Sequence, residues 1–118
     1  MSLRISGAVL CGVLVVVPAF AADANHGKEL FTTCSACHTE RPDSLGPTLK
    51  GVVGRKSGAI EDFRYSPAMK RAGLTWDQAT LHDYLVNPQG KVKGNRMPFS
   101  GLPAGDADDV IAYLATYK

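Results

Sequence analysis

Cys34-Ser35-Ala36-Cys37-His38 decides how the rest of this chain is read. A C-x-x-C-H string is the attachment signature of c-type haem. Each thiol can form a thioether to a haem vinyl group, and the histidine that follows is placed to bind iron as an axial ligand. Residues i and i+3 share one face of a helical turn. Both sulfurs can therefore reach one porphyrin edge, and the tether carries the imidazole onto the metal. Two other readings of the string stay open at this point. A thioredoxin-like redox dithiol expects βαβ patterning nearby, and no strand pattern is present. Half of a zinc site would need a second Cys/His pair at finger spacing, and the other histidines, His26 and His82, are isolated.

On the N-terminal side of the motif, residues 1–22 read as a secretory signal. Arg4 supplies a positive start, Ala8 to Val17 an apolar stretch, Pro18 a break, and Ala19-Phe20-Ala21 a small-x-small cleavage pattern. An uncleaved membrane anchor is the alternative, and the apolar run is near the lower limit for a bilayer span. Cys11 lies inside the run, and bulky Leu10 before it argues against a lipid anchor. Removal of the leader leaves Cys34 and Cys37 as the only cysteines. Export ordinarily predicts disulfides; here both thiols are expected on the haem instead. The remaining stretch, 23–118, reads as one domain. It is small for an apolar core of its own, and a buried haem would enlarge that core. Lys and Arg number 13 and Asp and Glu 11. So even a balance argues against nucleic acid as a partner.

The periodicity predicts an all-α domain of four to five helices and long loops wrapped round one covalently bound haem. Asp23 can cap a first helix in which Gly27, Leu30, Phe31 and Cys34 form one stripe. Thr39 to Tyr65 is loop, punctuated by prolines and glycines, and a loop of that length usually wraps something. Ser66-Pro67 starts a short helix that Gly73 ends. Thr75 to Gln78 reads as a capping box opening a helix with Leu81, Tyr84 and Leu85, which stops at Asn87-Pro88. Gln89 to Pro103 reads as a second long loop. The last helix carries Asp106, Asp108 and Asp109 in its first turn, favourable to the dipole, and Ala107, Val110, Ile111 and Leu114 as its stripe. The two terminal stripes are expected to pack on one another, with Gly27 allowing a close crossing. His26 and His82 read as solvated.

A His-ligated haem has either a sixth ligand or an open site. Met69, mid-helix beside Lys70 and Arg71, reads as gap filler. Met97 lies in Gly94-Asn95-Arg96-Met97-Pro98-Phe99, an extended segment that can turn one side chain inward. Given a haem on His38, Met97 is the expected second ligand. His/Met ligation raises the potential and fills both axial positions. Arg55, Tyr65, Trp76 and Asn95 are four donors in an apolar, loop-built wall, the set that a buried dianionic cofactor needs.

The order of these motifs resembles the class I cytochromes c, and within them the small bacterial type close to the mitochondrial protein. The resemblance runs from about Gly27 to Tyr117. Gly27 and Phe31 match the first-helix pair, and Val110 and Tyr113 their last-helix partners. It implies that the Pro47 carbonyl accepts the His38 ring N–H, that Arg55, Tyr65 and Trp76 serve the inner propionate, and that Tyr84 stands beside the methionine sulfur. It implies that Asn95, where the family usually has threonine, reaches the other propionate. It gives Met97 as the ligand position and Phe99 as the aromatic at the exposed haem edge. Arg96 stands where lysine is usual.

The function this implies is one-electron shuttling in the periplasm, with one haem c and its iron, and no enzymatic role. Partners would be redox proteins: a membrane cytochrome complex, a terminal oxidase or reductase, or a dehydrogenase. The chain would be a monomer making only transient contact with a membrane surface. Lys28, Lys50, Lys70, Lys91, Lys93 and Arg96 are candidates to ring the haem edge and steer docking. A haem peroxidase-like enzyme, or a haem-binding subunit or sensor, is the alternative. No distal His/Arg pair and no fused domain is visible for either.

Overall fold

The computed structural model describes residues 2, 7–15 and 21–118. Arg4, Pro18, Ala19 and Phe20, on which part of the export reading rests, lie outside the described residues. Residues 7–15 have no regular structure and are exposed. Among the described residues there are five helices: α1 (Ala24–Ser35), α2 (Pro67–Arg71), α3 (Gln78–Val86), α4 (Pro88–Lys91) and α5 (Ala104–Leu114). An isolated antiparallel bridge, Lys56 to Thr75, is the β-pairing found there. The domain is all-α, with long loops, as the periodicity predicts.

α1 starts where a side-chain acceptor is available. The Asp23 carboxylate accepts from the Asn25 and His26 N–H groups at 3.0 and 3.2 Å, satisfying donors that the first turn leaves open. The buried stripe of α1, Gly27 and Phe31, faces the buried stripe of α5, Ala107, Val110, Ile111 and Leu114. The two helices cross so closely at Gly27 that an added Cβ would overlap the Asp109 carbonyl and lie 2.9 Å from the Val110 nitrogen. Phe31 fills the crossing, its ring 5.1 Å from that of Tyr113 and 5.5 Å from that of Tyr117. Each large apolar side chain buried here contributes about 1.5–3 kcal/mol. α3 closes the core from a third side with Leu81 and Tyr84.

Four local readings of the sequence are corrected. Thr75 is not the cap of α3; it is held extended by its bridge to Lys56. Asp77 caps instead, its carboxylate accepting from Thr80 N–H at 2.8 Å. The second long loop opens with a helical turn, α4, because Pro88 sits at its first position and the Asn87 side chain accepts from Gly90 N–H at 3.0 Å. Only Asp106 lies in the first turn of α5, which has no side-chain cap. Asp108 and Asp109 instead pair with histidines. His82 Nδ1 is 2.8 Å from Asp108 and His26 Nδ1 is 2.7 Å from Asp109, so neither histidine is simply solvated. These pairs tie α3 and α1 to α5.

Candidate cofactor site

α1 ends inside the cysteine motif, with Cys34 in its last turn. Cys37 and His38 both donate their N–H to the Cys34 carbonyl, at 3.1 and 2.9 Å. The motif is therefore one continuous turn growing out of the terminal-helix pair. Both thiols are free and half-buried. Cys34 packs against the apolar core, and burial pushes its thiol above the ordinary value.

His38 is fixed by the loop that follows. Its Nδ1 lies 2.7 Å from the Pro47 carbonyl. A carbonyl only accepts, so Nδ1 carries the hydrogen and Nε2 presents its lone pair. Gly46 makes the approach feasible, since a Cβ there would lie 2.5 and 2.6 Å from the imidazole Cε1 and Nδ1. Burial holds the imidazole below its ordinary value and Arg55 adds to this, against the opposing hydrogen bond to Pro47. The neutral, metal-binding form is thus favoured.

Met97 is half-buried and packs against the core, as does Met69 from α2. They differ in their polar surroundings. The Tyr84 hydroxyl donates toward the Met97 sulfur at 3.9 Å, and burial pushes that phenol up to about 12, so it remains a donor. Tyr84 in turn packs on Trp76, with ring centroids 5.0 Å apart.

The donor wall is partly assembled by backbone. Trp76 N–H donates to the Arg55 carbonyl at 2.8 Å, and Gly54 N–H donates to the Trp76 carbonyl at 2.8 Å. The Arg55 guanidinium donates to the Thr48 carbonyl at 2.8 Å and to the Lys50 carbonyl at 3.4 Å. Its buried Nε–H has no partner among the described residues, a costly state for a charged donor. The Tyr65 hydroxyl accepts from Ile60 N–H at 3.0 Å, which leaves its own hydrogen to donate. Asn95 is placed differently. Its side-chain amide donates to the Pro88 and Val92 carbonyls at 3.1 and 2.9 Å, and its oxygen accepts from Met97 N–H at 2.9 Å. Both amide hydrogens are thus engaged on backbone.

The residues present fit a c-type haem. Two thiols at attachment spacing, a neutral imidazole with a free lone pair, and a thioether under a phenol donor suit its edge and metal. The orphaned Arg55 N–H and the uncommitted Tyr65 O–H suit a buried carboxylate of its periphery. Sequence reasoning did not single out Gln89, whose side chain donates to the Asn95 carbonyl at 2.9 Å and accepts from Gly94 N–H at 3.2 Å. It also missed Glu40, whose carboxylate accepts from the Thr48 and Tyr117 hydroxyls, each at 2.8 Å. Both depend on loop closure, which leaves no periodic trace.

Comparison with known proteins agrees with this geometry. The family described as cytochrome c matches residues 24–118. A cytochrome c2 of Rhodoblastus acidophilus is 46% identical over 102 residues, covering 83% of this chain and 95% of that protein. A cytochrome c of Tetrahymena pyriformis is 48% identical over 103 residues, covering 85% and 92%. The solved structure of cytochrome cH from Methylobacterium extorquens superposes with a TM-score of 0.76 at 46% identity, covering 80% of this chain and 99% of that one. The chain belongs to the cytochrome c family, and is an electron carrier with one covalent c-type haem and its iron.

Proposed function

We propose that Cys34 and Cys37 hold the haem, that His38 and Met97 are its two axial ligands, and that the chain is a dedicated electron shuttle. The observation that carries this is the pairing of His38 with the Pro47 carbonyl at 2.7 Å and of Met97 with the Tyr84 hydroxyl at 3.9 Å. The first contact orients an imidazole with its Nε2 free; the second orients a thioether. Bound haem supplies iron that cycles between ferric and ferrous states. His38, held by Pro47, keeps one tautomer and one ring orientation through that cycle. Met97 supplies a soft donor that favours the reduced metal. Held in these positions, His38 and Met97 would together fill both ligand positions of a bound haem iron and leave none for oxygen or peroxide. Arg55, Tyr65 and Trp76 are the proposed propionate donors. Asn95, whose amide hydrogens are occupied, is assigned to them only if its contacts rearrange.

Residues 1–22 are proposed as a cleaved export signal, with 23–118 as the mature periplasmic domain. The family match beginning at residue 24 supports this boundary. Among the described residues no helix is long and apolar enough to cross a membrane. Partners are redox proteins, proposed to be membrane complexes or dehydrogenases met in brief encounters by a monomer.

Carbon monoxide binding to the reduced protein tests the shuttle reading. The wild type should not bind it on mixing, whereas Met97→Ala should bind it readily. Rapid binding by the wild type would favour a peroxidase-like or sensor role and overturn the proposal.

A further inference from the structure

The segment that presents Met97 is tied into one unit by two side chains. Asn95 is 7% exposed, and every polar atom of its side chain is engaged. It holds the carbonyls of Pro88 and Val92 on one side and the N–H of Met97 on the other. Its own N–H donates to the Val92 carbonyl at 3.1 Å. Gln89, exposed at the start of α4, grips the same segment from outside through the Asn95 carbonyl and the Gly94 N–H. Two amide side chains thus lock the backbone at 88, 92, 94, 95 and 97 together.

We propose that Asn95 and Gln89 form a latch that sets how readily Met97 is displaced by an external ligand. This rests on Met97 being the second axial ligand. To release its sulfur, the 94–97 backbone must swing away, and the bond between Met97 N–H and Asn95 breaks as it does. Asn95 and Gln89 never touch the metal; they are positioning residues. Buried hydrogen bonds that leave an unsatisfied group when cut are the expensive kind to lose. Asn95→Ala leaves the Met97 N–H without its acceptor and takes one donor from each of the Pro88 and Val92 carbonyls, which keep the Val92 and Asn95 N–H groups. Gln89→Ala exposes its former partners to water and costs less.

The test is a titration of the oxidised, haem-loaded protein with imidazole, followed by loss of the methionine-to-iron charge-transfer band. Asn95→Ala should bind imidazole about tenfold more tightly than wild type, equivalent to about 1.4 kcal/mol. Gln89→Ala should bind it severalfold more tightly. His26→Asn, destabilised at the remote α1–α5 face, should keep the wild-type affinity. If Asn95→Ala does not take up haem, Gln89→Ala carries the test alone, since it touches only loop backbone. Wild-type affinity in the variants, with the band intact, would overturn the latch. Equal loosening in His26→Asn would also overturn it, by assigning the effect to global stability. A wild type without the band would instead overturn Met97 ligation itself.

Discussion

Replacing Gly27 by alanine should loosen the molecule at its helix crossing. The added Cβ meets the Asp109 carbonyl carbon and oxygen and the Val110 nitrogen, the last at 2.9 Å. All three are backbone of α5, so no side chain can rotate away. The crossing must open, and a gap of 0.5–1 Å forfeits about a quarter to a half of the dispersion well for the contacts it separates. Those contacts belong to Phe31, Val110 and Leu114, all buried and Val110 only 1% exposed. Overpacking of this kind costs up to about 3 kcal/mol. Alanine returns about 1 kcal/mol through its better helix propensity. The net loss is up to about 2 kcal/mol, or up to about 8–16 °C in melting temperature for a domain of this size. Far-UV circular dichroism on the haem-loaded protein measures it. Gly105→Ala is the matched control, because a Cβ in α5 at that position meets nothing within 4 Å. It should leave the melting temperature unchanged or raise it. A Gly27→Ala protein that melts with or above the wild type would refute the close-crossing argument.

Met97→Ala should abolish the methionine-to-iron charge-transfer band, while Met69→Ala should retain it; the reverse outcome would reassign the ligand. The His26–Asp109 pair should stabilise the fold in a limited pH window. The Asp109 hydrogen bond raises His26 above its ordinary 6.5, so that contribution is present below 6.5 and fades as pH rises through the raised value. The same bond lowers Asp109 below its ordinary 3.8, so its contribution is present above 3.8 and fades as pH falls through the lowered value. The stability gap between wild type and His26→Asn should therefore be widest from pH 3.8 to 6.5, as read by denaturant titration across pH; a pH-independent gap would count against the pair. Arg55→Leu removes a cation beside a site that gains an electron, so the reduction potential should fall, as measured by equilibrium redox titration. An unchanged potential would place the Arg55 charge too far from the metal to matter.

Much of this was readable in the chain because it is local or periodic. Asp23 as a cap, the apolar stripes of α1 and α5, and the glycine at their crossing follow from helical spacing alone. The cysteine motif carries its own chemistry at fixed separation. The misread elements were decided by contacts that spacing does not encode. Thr75 resembles a cap until Lys56 pulls it extended and Asp77 takes over. Asp108 and Asp109 look like helix-dipole partners until the packing of α3 and α1 brings His82 and His26 against them. Asn95 is a different case: its position resembles that of a propionate donor, and that role stays a proposal. Folded, its amide is held by the carbonyls of Pro88 and Val92, a pairing made only when the 88–97 loop closes. Gln89 gave no signal, since a lone exposed glutamine is indistinguishable from surface until its two backbone partners are in place.

Intact-mass analysis of the purified, exported protein, with thiol alkylation alongside, tests the centre of this reading most directly. Covalent attachment through Cys34 and Cys37 predicts a coloured protein heavier than the processed polypeptide by one haem, with neither thiol open to alkylation. A colourless product at polypeptide mass, with both cysteines alkylated, would contradict it.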